Sequence, residues 1–202
     1  VINLDATKAH ILREIEVIHR RFAGFTLIEL MVTIAIVAIL ASLATPSLRE
    51  LIIRVRLDGY ANDLYSGINF ARSEAIRLGV PVTLCVSTDG ATCSTTAGWE
   101  AGWLAFRDTN GDTKVDSGEE VLRTWPALRA GYTIQSANGL NRSIQYRGQG
   151  YALSTGTLTI CEGGNAVGAR GIIISRTRPR MAVDGTGDRI PENDAGQALA
   201  CS

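Results

Sequence analysis

The sequence predicts an α+β protein: a long kinked N-terminal helix, with a membrane half and an amphipathic half, packed on an antiparallel β-sheet globular domain. Three observations carry this prediction. Residues 25–44, FTLIELMVTIAIVAILASLA, are mostly apolar and long enough, at about 20 residues, to span a bilayer as a helix. Leu57, Ala61, Leu64, Ile68, Ala71, Ala75 and Leu78 then recur at spacings of four and three, the pattern of a helix with one buried stripe. Beyond Pro81, short runs of strand-forming residues are separated by Gly, Asn, Asp and Ser.

Taken in order, residues 1–24 read as a leader. They carry His10, Arg13, His19, Arg20 and Arg21 and end in Ala-Gly. An ordinary secretory signal places its apolar stretch before the cleavage site. Here that stretch begins after Gly24, so cleavage between Gly24 and Phe25 leaves it in the mature chain. An uncleaved anchor with a basic flank gives the same topology. Residues 25–46 form the first half of the helix. Pro46 ends that half, because a helical proline removes a hydrogen bond and bends the axis. Residues 47–79 form the amphipathic half, and Gly79 followed by Pro81 signals its end. Residues 80–202 form the sheet domain. PVTLCVS, GWLAFRD, EEVLRTW, GYTIQS, RSIQYR, GTLTICE and RGIIISR are its strand candidates. A sheet built from them is the natural cover for the Leu57–Leu78 stripe.

Lys+Arg and Asp+Glu both total 20, so net charge points to no partner, but its distribution is uneven. Residues 129–202 carry eight arginines against five acids, and three of those arginines fall in SRTRPR. Cys85, Cys93, Cys161 and Cys201 include no C-x-x-C pair, and both histidines precede the apolar run, which argues against zinc. Four cysteines beyond a membrane segment point to disulfides in an oxidising compartment. Three pairings are open. The local one, Cys85–Cys93 with Cys161–Cys201, needs the least reach, and its second bridge would pin a C-terminal tail with little apolar content of its own.

Glu29 poses the functional question. A charged side chain deep in lipid costs several kcal/mol, about 2.5–3.5 on insertion scales, so something must compensate a carboxylate among the first apolar residues. GFTLIELMVTIAIVAILASLATP resembles the processing site and first helix of type IV pilins and type II secretion pseudopilins: Gly24 before the cut, Phe25 after it, Glu29 four residues on, and Pro46. The globular part resembles the GspH/FimT branch through Trp99, Gly102, Trp103, Phe106 and Asp108 in W-x-x-G-W-x-x-F-x-D. The resemblance implies that a prepilin peptidase cuts after Gly24 and N-methylates Phe25. It also implies that Glu29 pairs with the N-terminal amine of a subunit as helices bundle with other pilins or pseudopilins. A buried carboxylate is tolerable when a cation meets it. The implied location is the bacterial inner membrane, single-pass, with the globular domain in the periplasm, and then a pilus or pseudopilus filament.

Two further stretches bear on function. In DTNGDTKVDSGE, Asp108, Asn110, Asp112, Lys114, Asp116 and Glu119 fall on the ligand positions of a calcium loop, but Thr113 stands where that template needs Gly. A solvated loop between strands is the stronger reading, with calcium as the alternative and no cofactor otherwise. In RGIIISRTRPR, Arg176, Arg178 and Arg180 alternate, which in an extended segment places all three on one side, with Arg170 before the strand. A G-R-x-R motif in the FimT type is associated with DNA binding, and Thr177-Arg178-Pro179-Arg180 matches both its arginines, with Thr in place of Gly. Guanidinium groups suit phosphate contacts, so double-stranded DNA bound through its backbone is the expected partner. The alternative is that these arginines pair with acids of the 108–120 loop of the same or a neighbouring subunit. The residues after Gly24 include no His, and no G-x-S-x-G, phosphate loop or paired metal-ligand motif is present, so the expectation is a non-enzyme. The sequence is read as a minor pilin that primes type IV pilus assembly and extends to DNA binding for uptake. The alternative is a GspH-type pseudopilin of a type II secretion system, structural only.

Overall fold

The computed structural model describes residues 24–137, 140 and 142–201, with backbone alone at 43–46. The expected leader therefore lies outside the described residues except for Gly24. One helix, α1 (Leu27–Leu78), leads into eight strands. Thr26 starts it: its Oγ1 accepts the Glu29 N–H at 3.2 Å, an N-cap that satisfies one of the free donors of the first turn. Gly79 ends it at φ +70°, donating its N–H to the Ala75 carbonyl at 2.9 Å. The helix continues through Pro46, where only the backbone is described.

The chain divides into two compact units at Leu48 and Arg49. In the first, every described side chain from Phe25 to Ser42 is exposed. The second holds the rest of α1 and all the strands: β1 (Val82–Val86), β2 (Trp103–Arg107), β3 (Val121–Trp125), β4 (Tyr132–Ala137), β5 (Ser143–Tyr146), β6 (Gly156–Glu162), β7 (Asn165–Ile174) and β8 (Pro179–Met181). All pairings are antiparallel, and the strands form two sheets ordered β3-β2-β1-β5 and β4-β6-β7-β8. Each of the seven expected runs is a strand. β8 is an addition, and its Pro179 is tolerated because β8 is an edge.

Helical periodicity and strand alternation meet in one core. Leu57, Ala61, Leu64, Ile68, Ala71 and Ala75 are buried with Val82, Leu84, Val86, Trp103 and Ala105 of the first sheet and Ile134, Leu158, Ile160, Ile172 and Ile174 of the second. Leu78, last of the expected stripe, is only partly buried against it. Burying a Leu or Ile side chain contributes about 1.5–3 kcal/mol, so this stripe is what holds α1 to the sheets. Gly67 lets the helix approach closely, because a Cβ there would lie 3.0 Å from Trp103 Nε1 and 3.4 Å from Trp125.

The opposite faces of both sheets are covered as well. Cys85, Leu104 and Phe106 form a smaller core on the first, capped by Cys93, Val115 and Val121, and Cys85 is bonded to Cys93. On the second sheet Thr157, Thr159, Cys161, Ala169 and Ile173 are buried. The C-terminal tail lies against this sheet: Leu199 seats against Gly171, and Cys201 is bonded to Cys161. That bridge closes a 40-residue separation and anchors a segment that has little else to bury. A Cβ at residue 171 would fall 2.3 Å from Leu199 Cδ1 and 2.7 Å from Ala182 Cβ. Gly171→Ala therefore unseats the tail and lowers unfolding stability by about 1–3 kcal/mol, read as a reduced urea midpoint. Combined with Leu199→Ala, the loss is smaller than the sum of the two single losses, since both act on one contact.

Candidate functional site

Three sets of residues carry the functional reading, each held by a different part of the fold. Gly24 and Phe25 lie outside the helix, and the Phe25 side chain is 83% exposed. Glu29 is the third helical residue, where the N-terminal end of the helix dipole favours a carboxylate. Thr26 and Glu29 also have the spacing of a capping box, a local reason for an acid here. Around it Leu27, Ile28, Leu30 and Met31 are all more than half exposed. Among the described residues no single helical stretch is long and apolar enough to cross a membrane. Leu27–Ser42 and Ser47–Leu78 together meet that requirement by length and composition.

The arginine stretch differs from its expected geometry. Instead of extending, the chain leaves β7 at Ile174, turns through Ser175–Arg178, and returns as β8, so that Ile173 faces Arg180 across the hairpin. Ser175 Oγ closes the turn, donating to the Arg178 carbonyl at 2.6 Å and accepting the Arg178 N–H at 3.4 Å. A turn in place of a strand means that the period-two argument for one shared side fails. Thr177, where the related motif has Gly, is not among the non-glycine residues with positive φ, so this turn does not require glycine. Arg176 and Arg178 are exposed at the tip, and among the described residues no side-chain partner engages either guanidinium. Arg180 is paired with Asp194 of the tail. Arg170 sits on β7 and donates to Asp58 of α1 at 2.6 Å, so it belongs to the helix–sheet contact instead of the hairpin cluster.

The acidic loop after β2 is knitted by its own carboxylates. Asp108 is fully buried and accepts from Thr83 Oγ1 (2.6 Å), Gln145 Nε2 (2.5 Å), Gly111 N (2.8 Å) and Thr113 N (3.1 Å). Glu119 accepts the N–H groups of Thr109 (2.7 Å) and Asp116 (3.2 Å), and Asn110 donates to Asp116 at 2.9 Å. Thr113 adopts φ +65°, the conformation for which a calcium loop uses Gly. Among the described residues of one chain no arginine from 170–180 pairs with this loop: Arg170 bonds to Asp58 and Arg180 to Asp194. Sequence reading missed both of these acids, because the contacts span 112 and 14 residues with no local pattern to mark them.

Comparison with known proteins gives these features a family. Residues 60–178 match the family described as Type II transport protein GspH, and residues 19–45 match the prokaryotic N-terminal methylation motif. The chain belongs to the GspH family. The pilin-like protein PilA1 of Thermus thermophilus is 31% identical over 159 residues, covering 76% of this chain and 93% of that protein. Two crystal structures of the type IV minor pilin FimU of Pseudomonas aeruginosa share the fold. One has TM-score 0.53 and 20% identity, over 74% of this chain and 97% of that one. The other has TM-score 0.50 and 18% identity, over 72% and 99%. The GspH-family match contains α1 from Tyr60, every strand through β7, and the tip arginines Arg176 and Arg178, while Asp194 and the tail lie beyond it. Within this pilin-like scaffold Asp108 joins β2 to the loop. Asp108→Ala strands four donors and destabilises the domain by about 2–3 kcal/mol in a thermal or urea melt, while Asp108→Asn, which keeps an acceptor, loses less.

Proposed function

We propose that the chain is a minor pilin of a type IV pilus, a single-pass inner-membrane protein whose globular unit faces the periplasm. A prepilin peptidase cuts after Gly24 and methylates Phe25, and the subunit primes filament assembly through residues 25–46. The observation that carries this reading is a contrast along one helix. From Leu57 to Ala75 the apolar stripe is buried by the chain itself, whereas Leu27, Ile28, Met31, Ile34 and Val37 are exposed. Lipid covers such a surface before assembly and neighbouring helices cover it afterwards. Glu29, the acid in the first turn, meets a subunit amine in that bundle. The role is structural and needs neither catalysis nor a cofactor. Glu29→Gln is expected to leave cleavage after Gly24 intact, read as the mass shift of the mature chain. Recovery of the subunit in sheared filaments should fall at least tenfold, and undiminished recovery would refute the pairing role.

The hairpin tip adds a second activity to this subunit. Arg176 and Arg178 present two unengaged guanidinium groups on a tight turn, the chemistry that binds DNA phosphates without reading sequence. The rival reading, a purely structural GspH-type pseudopilin of a type II secretion system, draws support from the matching family and from the carboxylate partners of Arg170 and Arg180. Gel-shift titration of the full chain in non-ionic detergent against double-stranded DNA separates the two. On the first reading binding weakens with salt, and Arg176→Gln with Arg178→Gln lowers the log–log slope by about 0.9 for each phosphate that is no longer neutralised. Absence of any retarded band at low salt, for wild type and for Asp194→Asn alike, favours the pseudopilin.

A further inference from the structure

The C-terminal tail meets the basic hairpin at a charged contact that the fold holds in place. Asp194 pairs with Arg180, and Asp194 and Arg176 line the same cleft, about 340 Å³, between the β7–β8 turn and the tail. Asp194 is not on a loose end. It sits in a turn in which Asn193 Oδ1 accepts the N–H groups of Ala195 (2.9 Å) and Gln197 (3.0 Å), and Asn193 N donates to the Gln197 carbonyl at 2.9 Å. That turn is anchored by Leu199 against Gly171 and by the Cys161–Cys201 bond, so the carboxylate is carried to the hairpin by a fixed strap.

We infer that Asp194 is a built-in competitor for phosphate: it occupies Arg180, one of the two motif arginines, and holds the hairpin below its full affinity for DNA. The inference rests on the DNA-contacting reading above. An exposed ion pair is weak, so a phosphate that arrives on Arg176 and Arg178 can displace the carboxylate from Arg180, but only against that pairing. The carboxylate also repels the incoming phosphates across a distance well inside the screening length of about 8–10 Å. Arg180 thus adds little to binding at low occupancy and engages only when the tip arginines have already placed a backbone beside it.

The test is a salt-dependent gel shift of the full chain in non-ionic detergent with double-stranded DNA, comparing wild type, Asp194→Asn, Arg180→Gln and the double variant. Matching circular dichroism melts check that the tail turn survives. The expected result is that Asp194→Asn tightens binding about three- to fivefold and steepens the log–log slope by about 0.9, as one more phosphate is neutralised. Arg180→Gln should abolish that gain in the double variant and change wild-type affinity little. Binding by Asp194→Asn alone, with none by wild type, also supports the inference. If wild type binds and Asp194→Asn binds equally or more weakly, Asp194 is not a competitor and the inference fails, while the hairpin reading stands. If neither binds, the hairpin reading fails and the inference falls with it.

Discussion

Burial of a single helical stripe organises the globular unit. Six residues of α1, from Leu57 to Ala75, share one core with the facing sides of two separate sheets. Neither sheet has a large core of its own, so the helix is the element that joins them. Cross-strand stacking of Trp103 and Trp125, with ring centroids 6.3 Å apart, brings the first sheet against the helix at Gly67. Phe70 meets Trp125 edge-on at 6.0 Å, and Arg123 lies 4.9 Å from the Trp125 ring centroid, closing the aromatic group towards solvent. The two outer faces need separate covers, and each receives one fastened by a disulfide.

Much of this was legible in the sequence because it rests on period. The 3.6-residue repeat marked the buried stripe, and six of its seven members are fully buried. The Gly79–Pro81 stop and all seven strand runs follow from local chemistry, and the local disulfide pairing follows from reach. What the sequence did not reveal is long-range. The strands partition into two sheets because β4 pairs with β6 while β5 pairs with β1, and no single-strand pattern encodes that choice. β8 was hidden by Pro179, which weakens a strand signal without forbidding an edge. The candidate DNA site suffered most: alternation of Arg176, Arg178 and Arg180 implied a strand, but Ser175 closes a turn there. The Thr26 cap had a signal, Thr three residues before Glu, which the apolar context obscured.

Charge is used in two ways across the chain. Where an acid is buried, as at Asp108, it is saturated with neutral donors from the loop and from the neighbouring strands. On the surface, arginines and acids pair across distant elements, as Arg170 does with Asp58 and Arg189 with Glu50 at 3.6 Å. Such exposed pairs add little stability. They do set which guanidinium groups remain available, and that selection, more than the total number of arginines, decides what the surface can bind.

The Thr26 cap has a consequence for the proposed maturation. A helix conceals its own amide carbons, since each carbonyl is bonded along the axis and side chains crowd the peptide planes. Proteolysis needs the opposite, an unwound segment whose backbone lies open across an active site. By starting α1 at Leu27, Thr26 leaves the Gly24–Phe25 bond in non-helical chain two residues ahead of the first helical residue. The residue that stabilises the first turn of the helix also fixes where hydrolysable backbone ends and protected backbone begins.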